Sequence, residues 1–561
     1  MNKACKQCGS GFEVTDEDLE FYKKVSPVIN GKRFDIPAPT LCADCRQQRR
    51  LTYRNERNLY KRKSDFSGKS LISNYSQDKQ YKVYGYDEWW GDGFNPLDYG
   101  RDFDFSRPFF EQFAELLKEV PRLYLYNPHS ENSEYTNHCY HNKNCYLIFN
   151  AAYNEDVYYS SNLIVSCKDC SDCMTAERGE RLYECMYIKN CFNSSYLIHC
   201  SGCMDSMFLY DCKGCINCFQ CWNSRNKKFC IKNKQYSKDE YFELMKLFNS
   251  GDHNQLNKAH DDFNKLLQTQ AIHKALHVEN SENCFGDYIF NSRNVRNTFY
   301  ADKCEDITYC FDALGNKDCM DTYESSINCE LQYECYACNE SSNMKFCVLS
   351  QFSHGLTYCD YCFHSKYCFG CTGLKKQEYC ILNKRYSKEQ YEELTCRIIE
   401  HMKGTGEWGE FFPILLSPFA YNETVAQDFH PMNEYEISDK GWSWKEKGNE
   451  LKYVENKMQP EAIPSDIKDV DDGILKSAII CESTDRLFKI IPKELEFYKK
   501  QNLPIPRFHP DERFRRRLIF KNPRKIWKRG CSKCTNDIYS SYSPDRPEKV
   551  YCEKCYLGEV Y

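Results

Sequence analysis

The stretch CWNSRNKKFCIKNKQYSKDEY, Cys221–Tyr241, returns 150 residues later as CTGLKKQEYCILNKRYSKEQY, Cys371–Tyr391. Cysteine, asparagine, lysine, tyrosine and serine recur at matching places, so the middle of the chain is an internal duplication. Both copies end on Tyr-Ser-Lys. Ser237 and Ser387 stand where a helix N-cap belongs, and Glu240 and Gln390 follow three residues on, as a capping box requires. Helical patterns are expected at about 238–249, 256–277 and 388–403.

Upstream of each helix, short polar and aromatic stretches alternate with cysteines. Cys167, Cys185, Cys203 and Cys221 step by 18 residues, and Cys170, Cys191 and Cys212 by 21, as do Cys338, Cys359 and Cys380. A recurrence of 18–22 residues matches one rung of a parallel β-solenoid, whose equivalent side chains stack into inward ladders. The expected fold is mixed and β-rich: two duplicated Cys-rich β-solenoid-like arrays with helical inserts. The arrays would occupy 129–278, with its C-terminal helices, and 279–403, with its own helix. A pair of compact metal-bound lobes is the alternative.

Toward the termini a second duplication appears. Cys5-Lys-Gln-Cys8, the run to Lys24, and Cys42-Ala-Asp-Cys45-Arg46 are echoed by Cys481-Glu-Ser-Thr484, the run to Lys500, and His509-Pro-Asp-Glu512-Arg513. The module that follows is complete only at the C-terminal end, as Cys531-Ser-Lys-Cys534 and Cys552-Glu-Lys-Cys555. Its N-terminal copy has Ser64, Ser67, Gly85 and Glu88 at those four places. A two-module cassette therefore caps each end, and each keeps one intact cysteine tetrad, in opposite members of the pair.

Two Cys-x-x-Cys knuckles supply four thiolates, the tetrahedral donor set of a structural Zn2+ site with no open position. Two such sites are expected, at Cys5, Cys8, Cys42 and Cys45 and at Cys531, Cys534, Cys552 and Cys555. Cys481, His509 and Glu512 could form a weaker three-ligand site. The inner runs Cys212/Cys215/Cys218/Cys221 and Cys167/Cys170/Cys173 raise an iron–sulfur reading, but the three-residue gap and Pro of the ferredoxin run are lacking and Trp222 follows instead. Cys359/Cys362 with Cys368/Cys371 could hold a further zinc, and His138, Cys139, His141 and Cys145 have ligand-like spacing. Cysteines packed as small hydrophobes in a narrow interior are the simpler expectation.

The chain has 561 residues with 37 cysteines, an odd number, beside 43 tyrosines and 35 phenylalanines. No apolar run reaches the ~18 residues of a membrane span, and the first residues open no apolar leader. These features together point to a reducing cytoplasm and away from a disulfide framework. Residues 46–63 carry a net +7 and residues 507–529 a net +8, so the remainder of a chain of overall charge −5 carries −20. Basic charge thus sits at matching places in the two cassettes. Arg46, Arg49, Arg50, Arg54 and Arg57 at one end, and Arg513, Arg515, Arg516, Arg517, Lys521, Arg524 and Lys525 at the other, are candidates for phosphate contact. Interleaved Tyr53, Tyr60, Phe514, Phe520 and Trp527 could stack on unpaired bases. The alternative is that these arginines pair with the acidic middle of the same chain.

The expected organisation is a treble-clef module at 1–58, a zinc-less ribbon-like module and helix at 59–128, the two arrays, a linker at 404–475, a degenerate treble clef at 476–526 and a zinc ribbon at 527–561. Residues 456–474, acidic and Pro-containing, read as an exposed connector. No P-loop, HExxH or GxSxG is present, and Gly404-Thr-Gly406-Glu-Trp-Gly409 follows a helical pattern, not the strand that a dinucleotide site needs. A non-enzymatic protein binding RNA or a ribonucleoprotein is the functional expectation. A protein-interaction scaffold is the second reading and a metal or redox enzyme the third.

Cys5–Cys8, TLCADCRQQR at Thr40–Arg49, YGRDFD at Tyr99–Asp104 with PFFEQF at Pro108–Phe113, and SYSPD at Ser541–Asp545 carry a resemblance over nearly the full length to cysteine-rich, zinc-ribbon and treble-clef-containing proteins of candidate-phyla bacteria. The resemblance implies structural metal modules. Because treble clefs recur in ribosomal and RNA-binding proteins, it implies RNA only by analogy of fold.

Overall fold

In both cysteine-rich arrays every third residue occupies the left-handed region of backbone space. His138, His141, Asn144, Leu147 and Asn150 have φ between 51° and 54°, and Asn343, Phe346, Leu349 and Phe352 between 43° and 57°. The structure is a computed structural model that describes residues 1–164, 174–177, 186–324, 328–446 and 454–561. A left-handed residue other than glycine costs roughly 1–2 kcal/mol. Here ladders between residues twelve apart accompany it. Asn132 Nδ2 donates to Asn144 Oδ1 at 2.8 Å and Asn144 Nδ2 to Asp156 Oδ1 at 3.2 Å. The Tyr288 and Tyr300 rings stack at 4.8 Å, and those of Phe346 and Tyr358 at 4.6 Å.

Strands pair in sequence order and mostly in parallel. Phe149 faces Asn137 and Ser161, and Met207 faces Ser195 and Phe219, twelve residues in each direction. One stack of ten strands runs from Asn137–Tyr140 to Lys234–Gln235. A second of eight runs from Val278–Glu279 to Ser342–Lys345 and continues as single parallel bridges as far as Phe369 and Ile381. The expected recurrence of 18–22 residues is therefore corrected to twelve, divided into triplets. Both 18 and 21 are multiples of three, so cysteines at one place of the triplet recur at those spacings without standing in register.

The residue after each left-handed one points inward, and there the cysteines gather: Cys200, Cys203, Cys212 and Cys215 in one stack, Cys359, Cys362, Cys368 and Cys371 in the other. All of these thiols donate to the carbonyl two residues back, and all but Cys371 also to the one nine residues on, as Cys200 does to Ile198 O at 3.3 Å and Leu209 O at 3.5 Å. Ser353 does the same, to Gln351 O at 2.8 Å and Cys362 O at 3.5 Å. The same inward position also takes Leu197 and Leu209 in one stack and Met344, Leu356 and Leu374 in the other, so thiols and hydroxyls alternate there with larger apolar chains. Cys167, Cys170, Cys173 and Cys185 lie outside the described residues.

The chain is mixed α/β and divides into two compact units, each made of two separated segments: Met1–Leu125 with Leu276–Lys445, and Tyr126–Ala275 with Glu446–Tyr561. In the N-terminal unit the first cassette is folded together with the second array. Helix Phe109–Glu119 stacks Phe113 on Phe412 at 4.9 Å, and the Glu407 carboxylate accepts from Phe109 N and Phe110 N at its N-terminus. Gly404-Thr-Gly406 closes helix Lys388–Thr405, with Gly406 at φ 75° as its left-handed cap.

In the C-terminal unit the last cassette is folded with the first array. Phe208 and Phe219 share a core with Leu256 and Phe263 of helix His253–Thr269 and with Phe488, Leu495 and Tyr498. Residues 456–474 are no exposed connector: Ile463, Ile467, Val470 and Ile474 enter this core, their spacing hidden in the sequence by intervening acids. The capping boxes at Ser237/Glu240 and Ser387/Gln390 are present. No helix among the described residues is long and apolar enough to cross a membrane.

Candidate functional site

The two cysteine tetrads are brought together, each with all four Sγ atoms within 4.8 Å of one another. Cys8 and Cys42 lie 3.8 Å apart, and Cys534 and Cys552 3.9 Å. A tetrahedral ion with metal–sulfur bonds of ~2.3 Å requires sulfur–sulfur edges of ~3.8 Å, so both donor sets fit a metal ion such as zinc. Local structure aims the thiols. Gly9, at φ 74°, turns the first knuckle and returns its N–H to Cys5 O at 2.9 Å. Cys42 is the N-cap of helix Ala43–Leu51 and Cys552 that of helix Glu553–Val560, where the helix dipole favours a thiolate. Hydrogen bonding from Cys45 brings the Cys42 thiol down to about 5.

Where the cassette lost its cysteines, other groups fill the place. Ser64 Oγ donates to Glu88 Oε2 at 2.5 Å, and the Gly85 N–H donates to the same oxygen at 2.7 Å. The carboxylate thus ties both knuckles together with hydrogen bonds. Cys481, His509 and Glu512 are not gathered into a ligand group. His509 Nδ1 accepts from Asp511 N at 3.1 Å, His509 N donates to Cys481 Sγ at 3.2 Å, and Glu512 pairs with Arg515 at 3.3 Å. Among the described residues the inner cysteines form no such group either. Cys139 and Cys145 point inward, while His138 and His141 are the left-handed residues of their triplets.

The arginine-rich segments differ sharply. Arg46, Arg49, Arg50 and Arg54, expected to face phosphate, are buried in the N-terminal unit. Arg46 Nε reaches Asp321 at 2.8 Å, and Arg50 spans Asp321 at 3.1 Å and Glu334 at 3.2 Å. Arg49 joins Glu334 at 2.9 Å and Glu410 at 2.8 Å, and Arg54 pairs with Glu56 and Glu324. Asp321, Glu324 and Glu334 are left-handed residues of the second array. The helix that reads as a phosphate arm is thus a charged joint between cassette and array. Arg57 is partly exposed.

In the C-terminal unit Arg513 is buried in the same manner, 3.7 Å from Glu494, bonded to Tyr498 Oη at 3.1 Å and 4.6 Å over the Tyr159 ring. Arg517 is also buried, Lys521 and Arg524 are half-buried, and Lys525 is exposed beside Trp527. Exposed Arg515 holds Glu512. Exposed Arg516 lies 4.1 Å over the Phe508 ring, and half-buried Arg507 donates to Ile463 O at 3.3 Å. Neither has an ion pair with a described carboxylate.

These two line a cavity of about 330 Å³ with Arg513, Arg517, Arg546, His253, His260, Phe508 and Phe520. Among the described residues its one acidic wall residue, Glu548, is held by Arg546. Burial, reinforced by the Arg507 charge, holds His253 down to about 4. Arg507 lies in the basic stretch but ahead of its helix, and the histidines come from helix His253–Thr269, which carries no local motif. Sequence reading therefore missed the cavity. No protein-family model, curated protein or solved structure matches this chain.

Proposed function

We propose that the protein is a non-catalytic binding protein for single-stranded RNA or a ribonucleoprotein, with two structural zinc ions and with its phosphate contact in the cavity of the C-terminal unit. The observation that carries this reading is the pair Arg507 and Arg516, cationic side chains without a described counter-charge, set beside Phe508 and Phe520. Guanidinium groups next to aromatic faces suit a strand whose bases are unpaired. The arginines of the N-terminal unit are already matched by carboxylates, so only one of the two expected arms is retained.

The same reading takes each strand stack as a continuous β-solenoid of four-sided, twelve-residue turns, closed by treble-clef and zinc-ribbon modules. The triplet rhythm and the inward rows of cysteines and aliphatic residues support it. Four thiolates with no open position support zinc in a structural role, and the buried reduced thiols suit a cytoplasmic setting. Exposed Tyr153, Phe192, Phe352 and Tyr367 favour, as a second reading, an array surface that meets a protein partner.

The test is fluorescence anisotropy of a labelled oligouridylate against the full-length, metal-loaded protein over a salt series. Affinity is expected to fall with a log–log slope of about −0.7 per phosphate contacted. Arg507→Ala with Arg516→Ala should weaken it by about tenfold or more. Binding indifferent to salt, or unchanged in the double variant, rejects the reading.

A further inference from the structure

Six arginines are buried in the N-terminal unit, and each has a carboxylate. Arg46, Arg49, Arg50, Arg54, Arg62 and Arg122 pair with Asp321, Glu334, Glu324, Asp65 or Asp360. The one buried lysine among the described residues, Lys345, has none. It is 2 % exposed, and its Nζ donates only to the carbonyl of Asn343, at 3.2 Å, and to the side-chain oxygen of the same residue. A buried ammonium without a counter-charge is among the costlier arrangements a fold can hold.

Lys345 ends strand Ser342–Lys345 and stands in register with Tyr333 on one side and Thr357 on the other, followed by Phe369. A cavity of about 260 Å³ lies between this row and helix Lys388–Thr405. Its walls include Tyr367, Tyr391, Ile399 and Trp408. A second polar group faces the same space: the Thr395 hydroxyl, 1 % exposed, makes no hydrogen bond of ordinary geometry. Burial holds the Lys345 ammonium down to about 8, so it still carries its charge near neutrality.

We propose that this cavity binds a compact aromatic carboxylate, its carboxylate on Lys345 Nζ and the Thr395 hydroxyl, its ring against Tyr367, Tyr391 and Trp408. One ammonium and one hydroxyl match the two oxygens of a planar carboxylate. A phosphate would bring further charged oxygens against aromatic rings. Among the described residues the other charged groups in the cavity wall are Lys388 and Glu392, which pair with each other at 4.0 Å and so leave Lys345 as the unmatched charge. The site is independent of the RNA reading and lies in the other unit.

The experiment is titration of full-length, metal-loaded protein with benzoate, and with benzamide as the uncharged control, followed by tryptophan fluorescence and by calorimetry. Benzoate is expected to bind saturably in the millimolar range or tighter, benzamide and the Lys345→Met variant at least about tenfold more weakly, and Thr395→Val in between. Above about pH 8 the bound carboxylate should raise the affinity of the amine for its proton. Calorimetry in two buffers of different ionisation heat then reads proton uptake. This readout uses the wild-type chain and survives if the lysine variant fails to fold. Equal binding of benzamide, undiminished binding in a folded Lys345→Met, no proton uptake or no saturable benzoate signal overturns the assignment.

Discussion

Arg46 donates its Nε proton to Asp321 Oδ2 at 2.8 Å, joining residues 275 positions apart with side chains only 3 % and 0 % exposed. Arg50 shares the same carboxylate and links it to Glu334, which Arg49 also holds. Three guanidinium groups on one turn-and-a-half of helix are thereby matched to two carboxylates on the strand array, with Glu410 adding a third.

Removing one partner from such a network leaves the others buried without a match. Asp321→Leu is expected to destabilise the N-terminal unit by about 3–5 kcal/mol, read from urea unfolding. Arg515→Ala, which breaks an exposed pair with Glu512, should change stability by no more than about 0.5 kcal/mol.

Metal content separates the intact modules from the degenerate ones. Two ions per chain are expected by elemental analysis, one for each tetrad. Cys8→Ser and Cys534→Ser should each lose one ion. Glu88→Ala should lose none, yet lower stability by about 1–3 kcal/mol, because Ser64 Oγ and Gly85 N are left without their shared acceptor.

The inner thiols should behave as packing, not as reagents. Burial raises Cys310 to about 11 and Cys304 to about 12, so thiolate is scarce at neutral pH. A chromogenic disulfide reagent should leave these two unmodified in the native protein and reach them only after denaturation. Cys359→Ser keeps a donor to Thr357 O and Cys368 O and should cost less than about 1.5 kcal/mol. Cys359→Leu overfills the interior and should cost about 1–3 kcal/mol.

Lys345 makes stability depend on alkaline pH. Its folded pKa, about 8, lies below the ordinary lysine value of 10.5. Between those values the unfolded chain binds more protons than the folded one, so this group adds stability as pH rises through the window and nothing further above it. The rise is on the order of 3 kcal/mol. It should appear as the difference between wild-type and Lys345→Met unfolding curves measured across that range.

Much of the metal chemistry is legible in the amino-acid sequence. Cys-x-x-Cys pairs carry their geometry within four residues, and the loss of cysteine at Ser64, Ser67, Gly85 and Glu88 is visible by comparison of the two cassettes. That Glu88 replaces an ion with hydrogen bonds is not, since the substitution alone does not say where its carboxylate points. The triplet rhythm of the arrays is present as cysteine spacing but reads as a longer one. Only the repeated φ near 50° and the strand pairing separate the three-residue rhythm from the twelve-residue register.

The order of residues along the chain determined what acts locally: the cysteine knuckles, the capping serines, the inward cysteines and the duplicated modules. Tertiary structure alone decided which terminal cassette folds with which array, and with that whether an arginine meets a carboxylate or a cavity. Arg46 and Arg516 sit in like segments of like modules, yet one faces Asp321 and the other the Phe508 ring. The physical reason is that a charge acquires its partner through space, over distances along the chain that no local pattern records.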